Sequence, residues 1–454
     1  MKKIVLLALC LFFGACSEPG EESLPAASEA APPPARQEEP AAALPVAAPD
    51  NGGFALLNDT GQTRCFDGQD WIACKAGNVS RAGRYPRQDA HFGQDAAALA
   101  GVLKKTGAGS AGFDFTKVCN NGVVAGTLDC PAEPQPGMGV NQWGCTIDNG
   151  TGLMWELKVS DRGLRDKNHQ YVWHSDAPEE PGTRETCANT LGGKNCTTRN
   201  YVAAVNRQGL CGHRDWRLPS RHELTGIVHY GGAELAVTGE LASIDAQYFP
   251  NTPSNYYYWT RDSYVAKPYS AWGVNFREGR ANGYFTFDAN HVRLVRGRQV
   301  VAKFTDHGDG TVGDASNGLV WMKCSIGQTY EGGGCRGKAG AYTWQQALAA
   351  ATRANSAKTN DRADWRLPNV KELESLVQVE KSNPAIDTGA FPNTAPDHYW
   401  SSTPFVSSPI NVWSINFLDG ISYGQVPTDY SRVRLVRSGQ SFEAPDSRDQ
   451  EEGQ

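Results

Sequence analysis

Three kinds of residues carry types and spacings that could do chemistry. The first is cysteine, with twelve in a chain of 454 residues. Cys10 lies within an apolar run at the N-terminus and Cys16 at its end, which leaves Cys65, Cys74, Cys119, Cys130, Cys145, Cys187, Cys196, Cys211, Cys324 and Cys335 in the body. A zinc site needs paired Cys-x-x-Cys or Cys/His clusters, and neither occurs. An even set behind an export signal favours disulfides over thiol chemistry. The second is Asp306-His307-Gly308-Asp309-Gly310, which superficially looks like a calcium loop. It lacks the alternating carboxylates and closing bidentate Glu of such loops and reads as a turn. No Gly-x-Ser-x-Gly, phosphate loop or His-Glu-x-x-His is present, so no metal, cofactor or catalytic residue is expected. The third is Tyr256-Tyr257-Tyr258 with the loop Arg261 to Ser270. Strand alternation sends Tyr257 to the face opposite its neighbours, so at least one ring is left to stack on a ligand. Ordinary surface placement of single aromatics is the competing account.

The elements that must position these residues occur twice. Asp215-Trp216-Arg217-Leu218-Pro219 returns as Asp364-Trp365-Arg366-Leu367-Pro368, about 150 residues later, one domain's worth of chain. Gly152-Leu153-Met154-Trp155 matches Gly318-Leu319-Val320-Trp321. Phe249-Pro250-Asn251-Thr252 matches Phe391-Pro392-Asn393-Thr394, and Tyr258-Trp259-Thr260 matches Tyr399-Trp400-Ser401. Trp272 and Trp413, then Arg293-Leu294-Val295-Arg296 and Arg434-Leu435-Val436-Arg437, complete the series. The Trp and Leu of the DWRLP lines suggest core, and their arginines structural hydrogen bonds. Ser220 with Glu223, and Asn369 with Glu372, form capping-box patterns that open a helix. Tyr342 to Asn355 reads as another helix, with a shorter counterpart near Tyr201. YYYWT, AWGVNF and HVRLVRG, with their copies, read as an antiparallel meander. The arginines of each RLVR line alternate with apolar residues, as in a half-buried strand with solvated charges. Each repeat is therefore α+β, two helices plus antiparallel strands.

Composition agrees. The chain has 49 Gly, 12 Trp and 16 Tyr but four Met, which suits small sheets joined by turns. A net charge of -6 without a basic stripe makes nucleic acid an unfitting partner. Met1-Lys2-Lys3 and the apolar run Ile4 to Phe13 have the layout of a signal peptide, too short to span a bilayer. Gly14-Ala15-Cys16 looks like the lipobox of bacterial lipoproteins, with Phe13 where that family usually has Leu. The resemblance implies cleavage before Cys16 and lipidation of it, with Ser17 suggesting transfer to the outer membrane. An ordinary signal peptide with an incidental cysteine is the alternative. Residues 16–50 are Pro-, Ala- and Glu-rich and read as a disordered tether reaching roughly 50–100 Å. Residues 51–140 read as a small cystine-stabilised N-terminal region, 141–299 as repeat 1, 300–439 as repeat 2, and 440–454 as a disordered tail. Spacing favours the pairs 65–74, 119–130, 145–211, 187–196 and 324–335, although sequence leaves other connectivities open.

Together the GLMW, DWRLP with its following Glu-Leu, Trp-x-x-Asn-Phe and VRLVR lines resemble the bacterial family named after the C-terminal domain of the collagen-like adhesin Lcl. Phe304 to Val312 resembles that family's lead-in to a repeat. The resemblance implies two tandem domains of a C-type-lectin-like fold, in exported or surface proteins. It also brings adhesion to sulfated polysaccharide, which does not carry over easily to an acidic chain lacking a Lys/Arg cluster. The expectation is a non-enzymatic envelope lipoprotein, held to the membrane by its lipid, that binds a glycan or a surface protein. A structural part of an envelope assembly is the alternative, and an enzyme like the formylglycine-generating enzymes, which share the superfold, a weaker one.

Overall fold

The computed structural model describes residues 57–74, 85–173, 187, 190–232, 234–235, 241–299, 301–406, 408 and 410–438. The expected signal, Cys16, tether and C-terminal tail lie outside these residues. Five helices carry the architecture: α1 Gly93–Leu99, α2 Thr198–Gln208, α3 Arg221–Gly226, α4 Trp344–Ser356 and α5 Val370–Ser375. The fold is α+β with antiparallel strand pairing.

Each repeat is closed by a four-stranded sheet in which its early and late strands meet. In repeat 1 the order is Val295–Arg296, Met154–Glu156, Trp143–Asp148, Phe115–Cys119; in repeat 2 it is Phe304–Asp306, Thr311–Asp314, Leu319–Met322, Val436–Ser438. Two expectations change here. The RLVR segments leave the meander and return to this sheet. The boundary expected at residue 141 falls inside the sheet, because Phe115 pairs with Asp148 as Phe304 pairs with Asp314. The lead-in strand of repeat 1 was hidden within the N-terminal region.

The DWRLP lines are scaffold. Trp216 and Trp365 are buried, and their indole N–H groups donate to Leu210 and Thr359 carbonyls at 3.0 and 2.9 Å. Asn206 and Asn355, one helix earlier, clamp the backbone of these tryptophans from both sides. Arg217 forks onto Glu223 and Arg366 onto Glu372, while the same glutamates complete capping boxes with Ser220 and Asn369. Arg293 and Arg434 correct the expectation of solvated charges, since both are fully buried. Arg293 donates to the Glu156 carbonyl and Thr252 Oγ1, and Arg434 to the Met322 carbonyl and Thr394 Oγ1. Carbonyls and hydroxyls accept from the terminal nitrogens of both buried guanidinium groups, while the Nε of each has no partner among the described residues.

Disulfides link Cys65–Cys74, Cys119–Cys130, Cys145–Cys211, Cys187–Cys196 and Cys324–Cys335. The repeats each have a local core, and a third apolar cluster takes residues from both, including Trp272, Phe276, Leu373 and Trp413. Across this junction Arg221, without exposed surface, donates to Glu374 and to the Gly420 carbonyl, while His222 Nε2 bonds the Glu374 carbonyl and Lys371 Nζ donates to the Gly226 carbonyl. The two DWRLP helices, α3 and α5, thus cap one another.

Residues 57–62 are threaded between the repeats. Asn58 bonds Asp148 and the Gly226 carbonyl, and Thr60 accepts from Tyr230, all in repeat 1. Asp59 accepts from Asn369 and Lys371, and Gln62 donates to Pro404, all in repeat 2. Behind them lie two more buried carboxyls. Asp89 accepts from Thr60 and Thr403, and Asp95 from the amides of Gln62 and Gly112. Burial pushes Asp89 up to about 8 and holds Asp95 well above the usual carboxylate range, while it lowers Lys371 to about 8.

Candidate functional site

The site is best seen by laying one repeat on the other. In each, the residue just before Val-Arg-Leu-Val bridges the tyrosine that precedes the strand tryptophan: His291 bridges Tyr258 and Arg432 bridges Tyr399. Their carbonyls accept from Trp259 and Trp400, at 2.9 and 3.0 Å. Their side chains reach a carbonyl ahead of the first helix, His291 Nδ1 to His169 at 3.0 Å and Arg432 Nη1 to Ala339 at 2.6 Å. The backbone frame is one; the contents differ.

In repeat 2 Arg432 Nε also donates to Asp397 at 3.0 Å. In repeat 1, counting back from the tryptophan, the residue at the Asp397 position is Tyr256. It is 45% exposed and sits edge-on to His291, ring centroids 5.7 Å apart. A polar pocket of about 140 Å³ opens beside them, lined also by Lys167, Asn168 and Asn255.

His291 is nearly fully buried and its protonation is fixed by geometry. A carbonyl can only accept, so Nδ1 carries the hydrogen toward His169. Burial, with Lys158 and Arg293 nearby, lowers its pKa to about 4. The imidazole is therefore neutral and Nε2 is a bare acceptor. That atom has no hydrogen-bond partner among the described residues. A buried acceptor without a partner costs about 1–3 kcal/mol.

The three tyrosines divide. Tyr256 precedes strand Tyr257–Ser263, escapes its alternation and reaches the pocket. Tyr257 is half-buried and packs on Tyr284, centroids 3.8 Å apart. Gly273 makes that contact feasible, since a Cβ there would meet the Tyr257 Cβ at 3.1 Å and the Tyr284 ring at 3.2 Å. Tyr258 has no exposed surface and packs edge-on against Phe276. It is core, which corrects its place among the ligand candidates. The loop after Ser263 ends in an exposed aromatic tip, with Tyr269 82% exposed, Phe285 stacked on Phe287 at 4.9 Å, and Lys267 over Phe285.

His291 was missed from sequence because a lone His in a β-rich line carries no signal. The signal was the alignment of the repeats, in which positions 256/397 and 291/432 change together.

Other places answer differently. The Asp306–Gly310 turn uses its carboxylates internally, Asp309 for Thr311 and Asp306 for Lys323. Cys65, Cys74 and His91 form the one metal-like grouping among the described residues, but the two cysteines form a disulfide and offer no thiolate. An inter-repeat cleft of about 230 Å³ is lined by Leu57, Leu153, Val377 and Val379, and its Arg261 and Asp262 are engaged by Gln299 and the Arg221 amide.

The profile of the Lcl C-terminal domain matches residues 144–296 and 310–437, more than half of the chain. The chain belongs to the Lcl C-terminal domain family. It holds two tandem copies, and the pocket lies in the first Lcl C-terminal domain, at positions where the second carries Arg432 and Asp397. No curated protein matches the chain significantly.

Proposed function

We propose that this is a non-enzymatic envelope lipoprotein that binds a surface ligand, glycan or protein, through its first Lcl C-terminal domain. The observation that carries the reading is the pocket at Tyr256 and His291, at positions where the second copy holds the Arg432–Asp397 ion pair. The lectin-like superfold implied by the family suits such a role, though superfold alone does not decide function. The anchor rests on Cys16 and its preceding small residues, with the outer membrane as the proposed destination. Among the described residues no helix is long and apolar enough to cross a membrane. The ten described cysteines are all in disulfides, which speaks against the thiol chemistry a formylglycine-generating enzyme needs. The core shared between repeats favours, as a second reading, a rigid spacer in an envelope assembly.

Two measurements on the full chain test this. Membrane fractionation of Cys16→Ser is expected to move the protein to the soluble fraction; an unchanged distribution overturns the anchor. Cells displaying the wild type are expected to adhere to glycan- or protein-coated surfaces, and cells displaying Tyr256→Ala to adhere less. Equal adherence of both overturns the assignment of binding to the pocket.

A further inference from the structure

We propose that the seat of residues 57–62 between the repeats is a latch worked by one proton, which Asp89 and Asp95 share through Thr60. With the proton in place the segment is held. When the proton is lost to solvent the segment leaves its seat, and the two repeats stay folded against each other.

Counting hydrogens shows why a proton is needed. The Thr60 hydroxyl lies between two carboxyls, 2.7 Å from Asp89 Oδ2 and 3.1 Å from Asp95 Oδ2. It has one hydrogen to give to two acceptors. The Gln62 amide points at the same hydroxyl oxygen, at 3.2 Å, so the missing hydrogen comes from a carboxyl. One added proton completes the chain: Asp89 donates to Thr60, and Thr60 donates to Asp95. The other neighbour of Asp89 Oδ2 is the Thr403 hydroxyl at 2.7 Å, which accepts from the Val370 amide and gives its own hydrogen to Asp89. Without the proton, the Thr60 oxygen faces one of the two carboxylates lone pair to lone pair.

Charge makes the same demand. Asp59, Asp89, Asp95 and, beyond Lys371, Asp148 are all buried. Of the cations packed around them, Arg366 is forked onto Glu372 and Arg221 is held by Glu374. Arg87 stacks on Phe92, and Lys105 is turned to the Gly109 and Ala111 carbonyls. Lys371 donates to the Asp59 and Gly226 carbonyls. His229, packed on the same Phe113 ring as Lys371, is neutral, lowered to about 4 by burial. Full ionisation would therefore leave a net negative charge in the interior, which is costly. Burial first, then the Asp59 charge, raises both ends of the proton's path, Asp89 to about 8.

The proton sits where the entering segment is joined to the rest: Thr60 on the segment, Thr403 on the repeat-2 strand His398–Pro404, and Asp95 on α1. The repeats keep their shared apolar core and the Arg221–Glu374 bond without it. Asn58, Asp59, Thr60, Gly61 and Gln62 bring no apolar side chain to the seam, and Asp59 adds repulsion once its neighbours are ionised. A carboxyl raised by folding stabilises fully in acid, and that contribution is lost as pH rises through the folded value. The latch is accordingly shut at acid and neutral pH and opens above about 8.

Hydrogen exchange of the full-length protein in detergent, corrected for the intrinsic effect of pH, tests this. Between about pH 7 and about pH 9.5 the protection of residues 57–62 is expected to fall at least about tenfold, since one linked proton changes an opening equilibrium by up to about tenfold per pH unit. Strands Tyr257–Ser263 and Val412–Asn416 are expected to keep theirs. Asp89→Asn carries a permanent hydrogen for Thr60 and should hold the segment protected across the range. Thr403→Val removes a hydroxyl that favours ionised Asp89 and should move the fall to higher pH, which tests the same proton should the first variant not fold. Protection that is flat with pH in the wild type, or a fall that persists in Asp89→Asn, overturns the latch. So does a midpoint that Thr403→Val leaves in place or lowers. A fall shared by both repeats' strands is unfolding of the whole chain and overturns it as well.

Discussion

The two repeats share a backbone and part at one wall. On the DWRLP side they are nearly superimposable in their chemistry: a buried indole, an Asn clamp, an Arg fork onto a capping Glu. On the wall before Val-Arg-Leu-Val, one copy holds Arg432 and Asp397 and the other His291 and Tyr256. The charges pair with one another, whereas the imidazole and the ring meet edge-on beside a pocket. The difference teaches that the two copies agree in the parts that hold the fold and differ at a half-exposed wall.

The sharpest way to break this comparison is at its shared half. Trp216→Ala and Trp365→Ala should each cost about 3–5 kcal/mol, equally within error, in urea unfolding. A large disparity would mean that the two scaffolds are not equivalent. The junction comes next. Glu374→Ala strands the buried Arg221 and should cost about 3–5 kcal/mol, shifting the whole chain in one transition because the core is common. Two separable transitions, with only one displaced, would contradict that common core.

A smaller effect separates the two Arg–Glu forks. The Arg366 side chain is 5% exposed and that of Arg217 is 25% exposed, so Arg366→Ala should destabilise more than Arg217→Ala, by about 1–2 kcal/mol. Equal losses would show that burial does not set their worth. The effect that builds only gradually is a slope with pH. Asp89, raised to about 8 first by burial and then by Asp59, keeps its proton in the folded chain where the unfolded chain has lost it. Stability should therefore fall as pH rises from about 4 toward 8, by at most about 1.4 kcal/mol per pH unit. Asp89→Asn should flatten that slope in unfolding midpoints measured across the window. A slope unchanged by the substitution would remove Asp89 as its cause.

Local grammar was the legible part. Ser220 with Glu223 and Asn369 with Glu372 announce their helices because a cap is a contact within four residues. The cystines Cys65–Cys74 and Cys324–Cys335 lie close in sequence for the same reason. What lay beyond reading were contacts made by distant segments. Phe115–Cys119 joins repeat 1 only through its pairing with Trp143–Asp148. Arg293 looked solvated because its carbonyl partner at Glu156 is 137 residues away. Tyr258 could not be told from Tyr256 until the start of the strand between them was known. His291 acquires meaning only from its alignment with Arg432 in the other repeat.

One consequence is mechanical. Residues 57–62 enter the fold between the repeats, bonded alternately to each. A pull on the chain ahead of Leu57 is therefore delivered to the seam, across hydrogen bonds loaded side by side, rather than to the end of either repeat. A protein moored at its N-terminus and gripping a ligand in its first repeat would carry tension along a short path from that seam to the pocket. The second repeat, outside that path, would act as the abutment against which the entering segment is wedged.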